Sequence, residues 1–295
     1  MKKILTGLAF CSPWLIGFLV FGLYPIALSL YYSFTDFNIL QIPHWIGLEN
    51  YQKMFHDHLF WKSVYNTLYI TVIGVPLSII LGVIAAVLLN QNVKGMSIFR
   101  TLIYLPTIVP PVAVAIVWLF ILNPDYGLLN AVLGWLHLPQ PGWLASPLFS
   151  KPAMLFMILW QSGQVIVIML AGLQDIPKDM YESAMIDGAG FWVILRRIML
   201  PMLSPVIFYN VVMGIVNFMN FFTQAFVVTS KGNLGDPLNS TMFYPLYIYQ
   251  NAFGFLKMGY ASAMAWGLLV MTLLLTFIVF GVGNRSVYYG GEQDR

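Results

Sequence analysis

Six stretches of this chain run for about 20 residues or more without a single Asp, Glu, Lys or Arg. They are roughly Leu5–Leu30, Leu68–Leu89, Leu102–Leu122, Ala153–Leu173, Val206–Val228 and Ala261–Val282. About 20 apolar residues in helical conformation match the hydrocarbon thickness of a bilayer. In lipid, a chain must satisfy its backbone polar groups internally, and a helix does so within one segment. The expected fold is therefore an all-α polytopic membrane protein with six transmembrane helices, residues 1–295 forming one membrane domain.

Composition agrees. Charged residues make up 8% of the chain and hydrophobic residues 59%, against about 25% charged in a soluble domain. The net charge of +3 comes with no Lys/Arg run or basic stripe, so nucleic acid is not an expected partner. Cys11 is the single cysteine, which rules out an intrachain disulfide. Leu8-Ala9-Phe10-Cys11 has the outline of a lipoprotein signal. The bulky Phe10 and an apolar run continuing to about Leu30 favour an uncleaved first span.

Pro106, Pro110 and Pro111 fall in the first half of the third stretch. Each removes a backbone donor, which predicts a kink there or a functional hinge. Orientation follows from Lys and Arg. With the N-terminus inside, inner segments hold Lys2, Lys3, Lys94, Arg100, Lys178, Arg196, Arg197, Arg285 and Arg295. Outer segments hold Lys53, Lys62, Lys151, Lys231 and Lys257. Both termini are then expected in the cytoplasm. The outer loops are expected at residues 32–67, 123–152 and 229–260, rich in aromatic residues that can anchor at the interface or meet a partner.

The only long inner loop runs over residues 174–203. Pro177 and Asp179 suit a helix start. Ala184 and Gly188 are four apart and share a face. Gly188-Ala189-Gly190 marks a break, and Asp187 could cap the turn that follows. Arg196 and Arg197 sit near the inner interface, and Pro201 and Pro205 mark the return to the membrane. Read from its residues, this is helix, tight turn, helix against the membrane face, either a docking surface or a partnerless interfacial loop.

The segment also fits Glu-x-Ala-x3-Gly-x9-Ile-x-Leu-Pro through Glu182, Ala184, Gly188, Ile198, Leu200 and Pro201. It resembles the EAA loop of permease subunits in binding-protein-dependent ABC importers, with Ser183 in place of the usual second alanine. Tyr24-Pro25, Gly47-Leu48-Glu49-Asn50-Tyr51, Leu105-Pro106 and Gly259-Tyr260-Ala261 look like the carbohydrate-uptake branch, and Val287-Tyr288-Tyr289 like its Gram-positive members. The resemblance implies a type I ABC importer permease fold in a bacterial cell membrane. Its partners would be a second permease subunit, as a heterodimer, an ATPase subunit dimer and an extracellular solute-binding protein. The substrate would be a carbohydrate, with oligosaccharide favoured. ATP and Mg would reside on partner subunits, with no cofactor on this chain. Glu182, Ser183, Ala184, Asp187, Gly188, Ile198 and Pro201 would couple it to the ATPase.

The spans lack charge yet carry amides. Gln161 and Gln164 share a face of the fourth. Asn210, Asn217 and Gln224 repeat every seven residues along the fifth, with Asn220 beside them. Amides facing lipid are costly, so this stripe should face protein or water. Two readings stand: interhelical hydrogen-bond glue, or the wall of a path for a hydroxyl-rich solute, with Trp118, Trp160, Phe218 and Phe221 able to stack on a sugar face.

Catalysis is not expected. There is no Gly-x4-Gly-Lys-Ser/Thr phosphate loop and no His-Glu-x-x-His. His56 and His58 beside Asp57 read as a solvated polar loop, so no metal site is expected. A stand-alone secondary transporter or channel is the alternative. That class usually carries ionisable groups within the membrane, and these spans have none.

Overall fold

The computed structural model describes residues 2–91, 93–229 and 232–283. In chain order the helices are α1 (Lys2–Gly17), α2 (Tyr24–Ser33), α3 (Glu49–His56), α4 (His58–Leu89), α5 (Met96–Ile108), α6 (Pro111–Ile121), α7 (Leu128–Trp135), α8 (Ser150–Trp160), α9 (Gly163–Gln174), α10 (Lys178–Ile186), α11 (Phe191–Ile194), α12 (Leu200–Met219), α13 (Thr223–Thr229), α14 (Tyr244–Tyr249) and α15 (Met258–Gly283). Short π-helical segments at Phe18–Leu23 and Leu195–Met199 join α1 to α2 and α11 to α12. Among the described residues, four helices or continuous helical runs are long and apolar enough to cross a membrane: Phe10–Ser33, His58–Leu89, Phe191–Thr229 and Met258–Gly281. Two bent pairs, α5 with α6 and α8 with α9, bring the number to six when each pair is counted as one broken span.

The structure corrects several expected boundaries. The second span begins at His58, ten residues before Leu68, so the first outer loop is shorter than expected and contains α3. The third turns by 99° between α5 and α6, at Val109 and Pro110. That is far more than a simple kink, because Pro110 and Pro111 both lack the donor that would continue the helix. The second helix of the 174–203 loop does not stop before the membrane; it runs through the π segment into α12. Arg285, Arg295, Lys231 and Val287-Tyr288-Tyr289 lie outside the described residues.

The chain divides into two compact units, residues 1–61 with 247–270, and residues 62–246 with 271–295. In the first, buried Asn50 stitches α3 to the end of α2 by donating from Nδ2 to Ser33 O at 2.9 Å and Thr35 O at 2.8 Å. Gly259 donates its N–H to Phe37 O at 2.9 Å, and a Cβ there would lie 2.1 Å from Thr35 O. Only glycine allows that approach. Asp57 ends α3, and its carboxylate accepts from the hydroxyls of Tyr247 and Tyr260 and from the backbone N–H of Leu59.

The second unit packs through small residues. Ala86 and Leu89 of α4, Met169, Leu170 and Leu173 of α9, and Leu203 of α12 form one buried cluster. A Cβ on Gly172 would meet Leu203 and Val206 at 2.9 Å, and one on Gly74 would meet Phe218 at 2.2 Å. Close approach of this kind supplies the contact energy that lipid cannot, since hydrocarbon tails are as apolar as the side chains. Asn66, fully buried, spans the unit by donating to Asn239 O and Met242 O at 2.9 Å each.

Burial alone would raise the Asp57 pKa, but hydrogen bonds from Tyr247, Tyr260 and the Leu59 and Phe60 amides outweigh it and hold the group below 3.8. A depressed folded-state pKa contributes stability above the unfolded value, lost as pH falls through the folded one. The melting temperature of the detergent-solubilised protein should therefore carry an Asp57 contribution that is flat from neutrality to about pH 4 and disappears below it. Asp57→Asn should melt lower at neutral pH and lose that acid-end step. An identical pH profile in wild type and variant would contradict this.

Candidate functional site

Two features of the second unit bear on function, a turn and a cavity. The turn closes α10. Ala189 N–H donates to Ala184 O at 2.9 Å and Gly188 N–H to Met185 O at 3.0 Å. That pair of bonds, with Gly188 at φ +75°, is a Schellman cap, which needs a residue in the left-handed region after the helix. The space a Gly188 side chain would enter is open. Asp187 is the C-cap residue of α10, and Gly190 takes the N-cap position of α11. The expected capping role of Asp187 toward the next turn is thus not realised, because Asp187 ends α10 and Gly190 holds the N-cap position of α11.

Around the turn the surface is apolar and exposed. Ile186 is 86% exposed, Trp192 67% and Met185 58%. Contiguous apolar exposure beside polar groups marks an interaction surface or a membrane contact. Glu182, Ser183, Asp187 and Gly188 are exposed here, and Ala184 is half-buried. Tyr181 and Ile198 instead pack on the buried cluster of α4, α9 and α12. Burial raises the Tyr181 pKa, and its hydroxyl has no hydrogen-bond partner among the described residues. Pro201 lies where the π segment passes into α12, inside continuous helix, so its missing N–H removes a donor from the preceding turn.

The cavity, of about 410 Å³, lies where three spans are broken. The breaks fall at Val109–Pro110, at Gln161–Ser162 and at Asn220–Phe222. Thr107, Pro111, Gln161, Ser162, Asn220 and Thr223 from their edges all line it. None of its lining residues is charged. Half-helices meeting at a cavity are a recurring way to build a solute site inside a membrane.

The expected amides converge here: Gln161, Gln164, Asn217, Asn220 and Gln224 all line the cavity, with Asn210 and Phe221. The helices that carry them differ from expectation. Gln161 and Gln164 do not share one straight helix, because α8 ends at Trp160 and α9 bends by 47° from it. The stripe along the fifth span is interrupted, since α12 ends at Met219 and Gln224 belongs to α13. Trp118 and Trp160 are not among the lining residues. Trp118 is buried edge-on between Trp160 and Phe156, at centroid distances of 5.9 and 5.2 Å. Phe221 is also buried, edge-on to Phe243.

The amides are engaged differently. Asn210 and Asn220 turn back to their own helix, donating to Val206 O and Val216 O at 2.8 Å each. Gln224 Nε2 donates to Gln161 Oε1 at 3.0 Å. Gln164 and Asn217 are exposed to the cavity, and neither amide is spent on a neighbour among the described residues. Reading the sequence missed Ser78, Thr107 and Tyr209, which also line it. Their signal was a lone polar side chain in an apolar helix.

Residues 78–286 match the family described as binding-protein-dependent transport system inner membrane component. The chain is 41% identical to the probable ABC transporter permease protein YesP of Bacillus subtilis (strain 168), over 99% of this chain and 95% of that one. It is 30% identical to the lactose transport system permease protein LacF of Rhizobium radiobacter, over 93% of each. In fold it is similar to a chain of a bacterial ABC transporter involved in import of the acidic polysaccharide alginate. The TM-score is 0.84 at 23% identity, covering 96% of each chain.

Beside the break at Gln161–Ser162, the close approach of α9 to α5 depends on Gly163, whose Cβ would lie 2.4 Å from Thr107 Oγ1 and 2.9 Å from Ile103 O. Gly163→Val should force α5 and α9 apart at a cost of about 1–3 kcal/mol. A thermal melt of the purified protein should then fall by several degrees, while Gly190→Ala, which meets open space, should leave it nearly unchanged.

Proposed function

Because this chain belongs to the family of binding-protein-dependent transport system inner membrane components, we propose that it is the permease subunit of an ATP-driven importer of carbohydrate, with oligosaccharide as the favoured cargo. The whole of residues 1–295 acts as one permease domain with both termini in the cytoplasm. It pairs with a second, different permease subunit in the cell membrane. An extracellular binding protein delivers the sugar, and an ATPase dimer, carrying ATP and Mg, drives the cycle. The chain itself is a transport component and not a catalyst. The Bacillus subtilis relative supports a Gram-positive membrane.

One observation carries this reading: the Schellman turn at Gly188, set among exposed Met185, Ile186 and Trp192. An apolar rim around an open, side-chain-free turn suits the cleft of another protein. Glu182 supplies a charge beside it, with Ser183 and Ala184 small enough for close approach. Tyr181 and Ile198 anchor the loop to α4, α9 and α12. A push on α10 is thereby passed to helices that line the cavity. ATP closure then biases a two-state equilibrium between inward- and outward-open arrangements.

The carbohydrate assignment is supported by the lactose permease relative and by the uncharged, amide-lined cavity. Amides both donate and accept, which matches sugar hydroxyls. Gln164 and Asn217 present theirs to the solute, with Gln161, Asn220, Phe221 and Gln224 completing the wall.

Gly188→Leu should strain the left-handed turn by about 1–2 kcal/mol and fill the open docking surface. The protein should still insert, but a tagged chain should lose its ATPase subunit on purification. Normal co-purification and normal uptake in this variant would exclude the coupling role. In the reconstituted importer, Gln164→Ala and Asn217→Ala should each raise the solute KM about tenfold, the loss of a hydrogen bond to a buried polar ligand. Wild-type uptake in both variants would remove these residues from the path.

A further inference from the structure

Pro110 has no N–H, so Pro106 O has lost the donor four residues ahead of it. The bend that follows also turns Val109 O out of any helix. In a bilayer such carbonyls must find protein partners. Gln161 Nε2 reaches both, at 3.5 Å to Pro106 O and 3.3 Å to Val109 O. Carbonyl oxygens only accept, so the NH2 end of this amide is the end that faces them. Its oxygen is then left to face Gln224, which donates to it at 3.0 Å. Thr107 Oγ1 closes the set by donating to the backbone oxygen of Gln161 at 3.3 Å.

Gln161 therefore touches all three breaks. It caps α8 itself, satisfies the α5–α6 corner, and holds α13 just past the Asn220–Phe222 break. Both amide hydrogens and the amide oxygen are committed, so little of this side chain is left for a passing solute. Gln164, three residues on, is exposed to the same cavity and spent on no neighbour among the described residues.

We infer that Gln161 is a positioning residue, a latch that holds the three broken spans in one arrangement around the cavity, with Gln224 as its catch. The solute-contacting task falls to Gln164 and Asn217. The inference rests on the cavity being the path of an importer. Bonds present in one arrangement stabilise that arrangement alone, so removing them shifts the population toward the other.

The test uses the complete complex reconstituted in lipid, with ATP hydrolysis measured in the absence of binding protein and sugar. Gln161→Leu should change this basal rate by about tenfold, the effect of roughly 1.4 kcal/mol. Gln224→Leu should change it in the same direction by less, since the corner carbonyls keep their donor. The double variant should be no worse than Gln161→Leu, because both changes break the same contact. A wild-type basal rate in Gln161→Leu, or effects that simply add in the double variant, would overturn the latch. Should Gln161→Leu fail to assemble, Gln224→Leu decides by itself, and an unchanged basal rate there counts against the latch. The melting temperature of the isolated chain gives a reading that needs no ATPase or sugar. Non-additive losses in the same cycle support the latch even if the wild-type chain never binds an ATPase, a result that would instead sink the importer reading.

Discussion

Hydrocarbon offers no hydrogen bond to a backbone group left open by a broken helix. That constraint governs the second unit. Three spans are interrupted, and each interruption leaves carbonyls or amides that lipid cannot satisfy. They fall together around one polar cavity, where Gln161 and Thr107 supply partners to open carbonyls at two of them and the Gln161–Gln224 side-chain bond ties in the third. The breaks and the cavity are thus two sides of one fact. A solute site inside a membrane needs polar groups, and broken helices need polar partners.

The turn at Gly188 obeys a different solvent. It is exposed, and its backbone is satisfied by its own cap. What distinguishes it is exposed apolar surface beside a glycine whose added Cβ would meet open space among the described residues. The two features are linked through packed matter. Tyr181 and Ile198 rest on a cluster built from α4, α9 and α12, and α9 and α12 furnish Gln164, Asn210 and Asn217 to the cavity wall. A rigid, close-packed cluster transmits a displacement where a loose one would absorb it.

Much of this was legible in the chain. Charge-free stretches named the spans, because an unpaired charge is costly in lipid and the sequence avoids it. The Glu182–Pro201 spacing named the turn and the family it resembles. The amides were legible as a set needing shelter. Their division of labour was not. Gln161 and Gln164 look alike in sequence, and only the position of the Pro106 and Val109 carbonyls separates one that is spent from one that is open. Trp118 and Trp160 read as stacking faces because an aromatic ring in a span can serve either packing or a ligand. Trp118 is spent on packing against Phe156 and Trp160, and neither tryptophan lines the cavity.

By itself, the sequence determined that the chain lives in a membrane, which segments are apolar enough to cross it, and where a glycine turn interrupts the long loop. These follow from local composition and from the few residues that tolerate a given backbone conformation. Tertiary structure alone decided that the third span turns by 99°, that the fourth bends without a proline at its break, and that the three interruptions share one cavity. A break is stable only if another segment reaches its open backbone groups. The partner that does so for Pro106 is Gln161, 55 residues away. No local rule connects those two positions, because the bond between them exists only once the helices have packed.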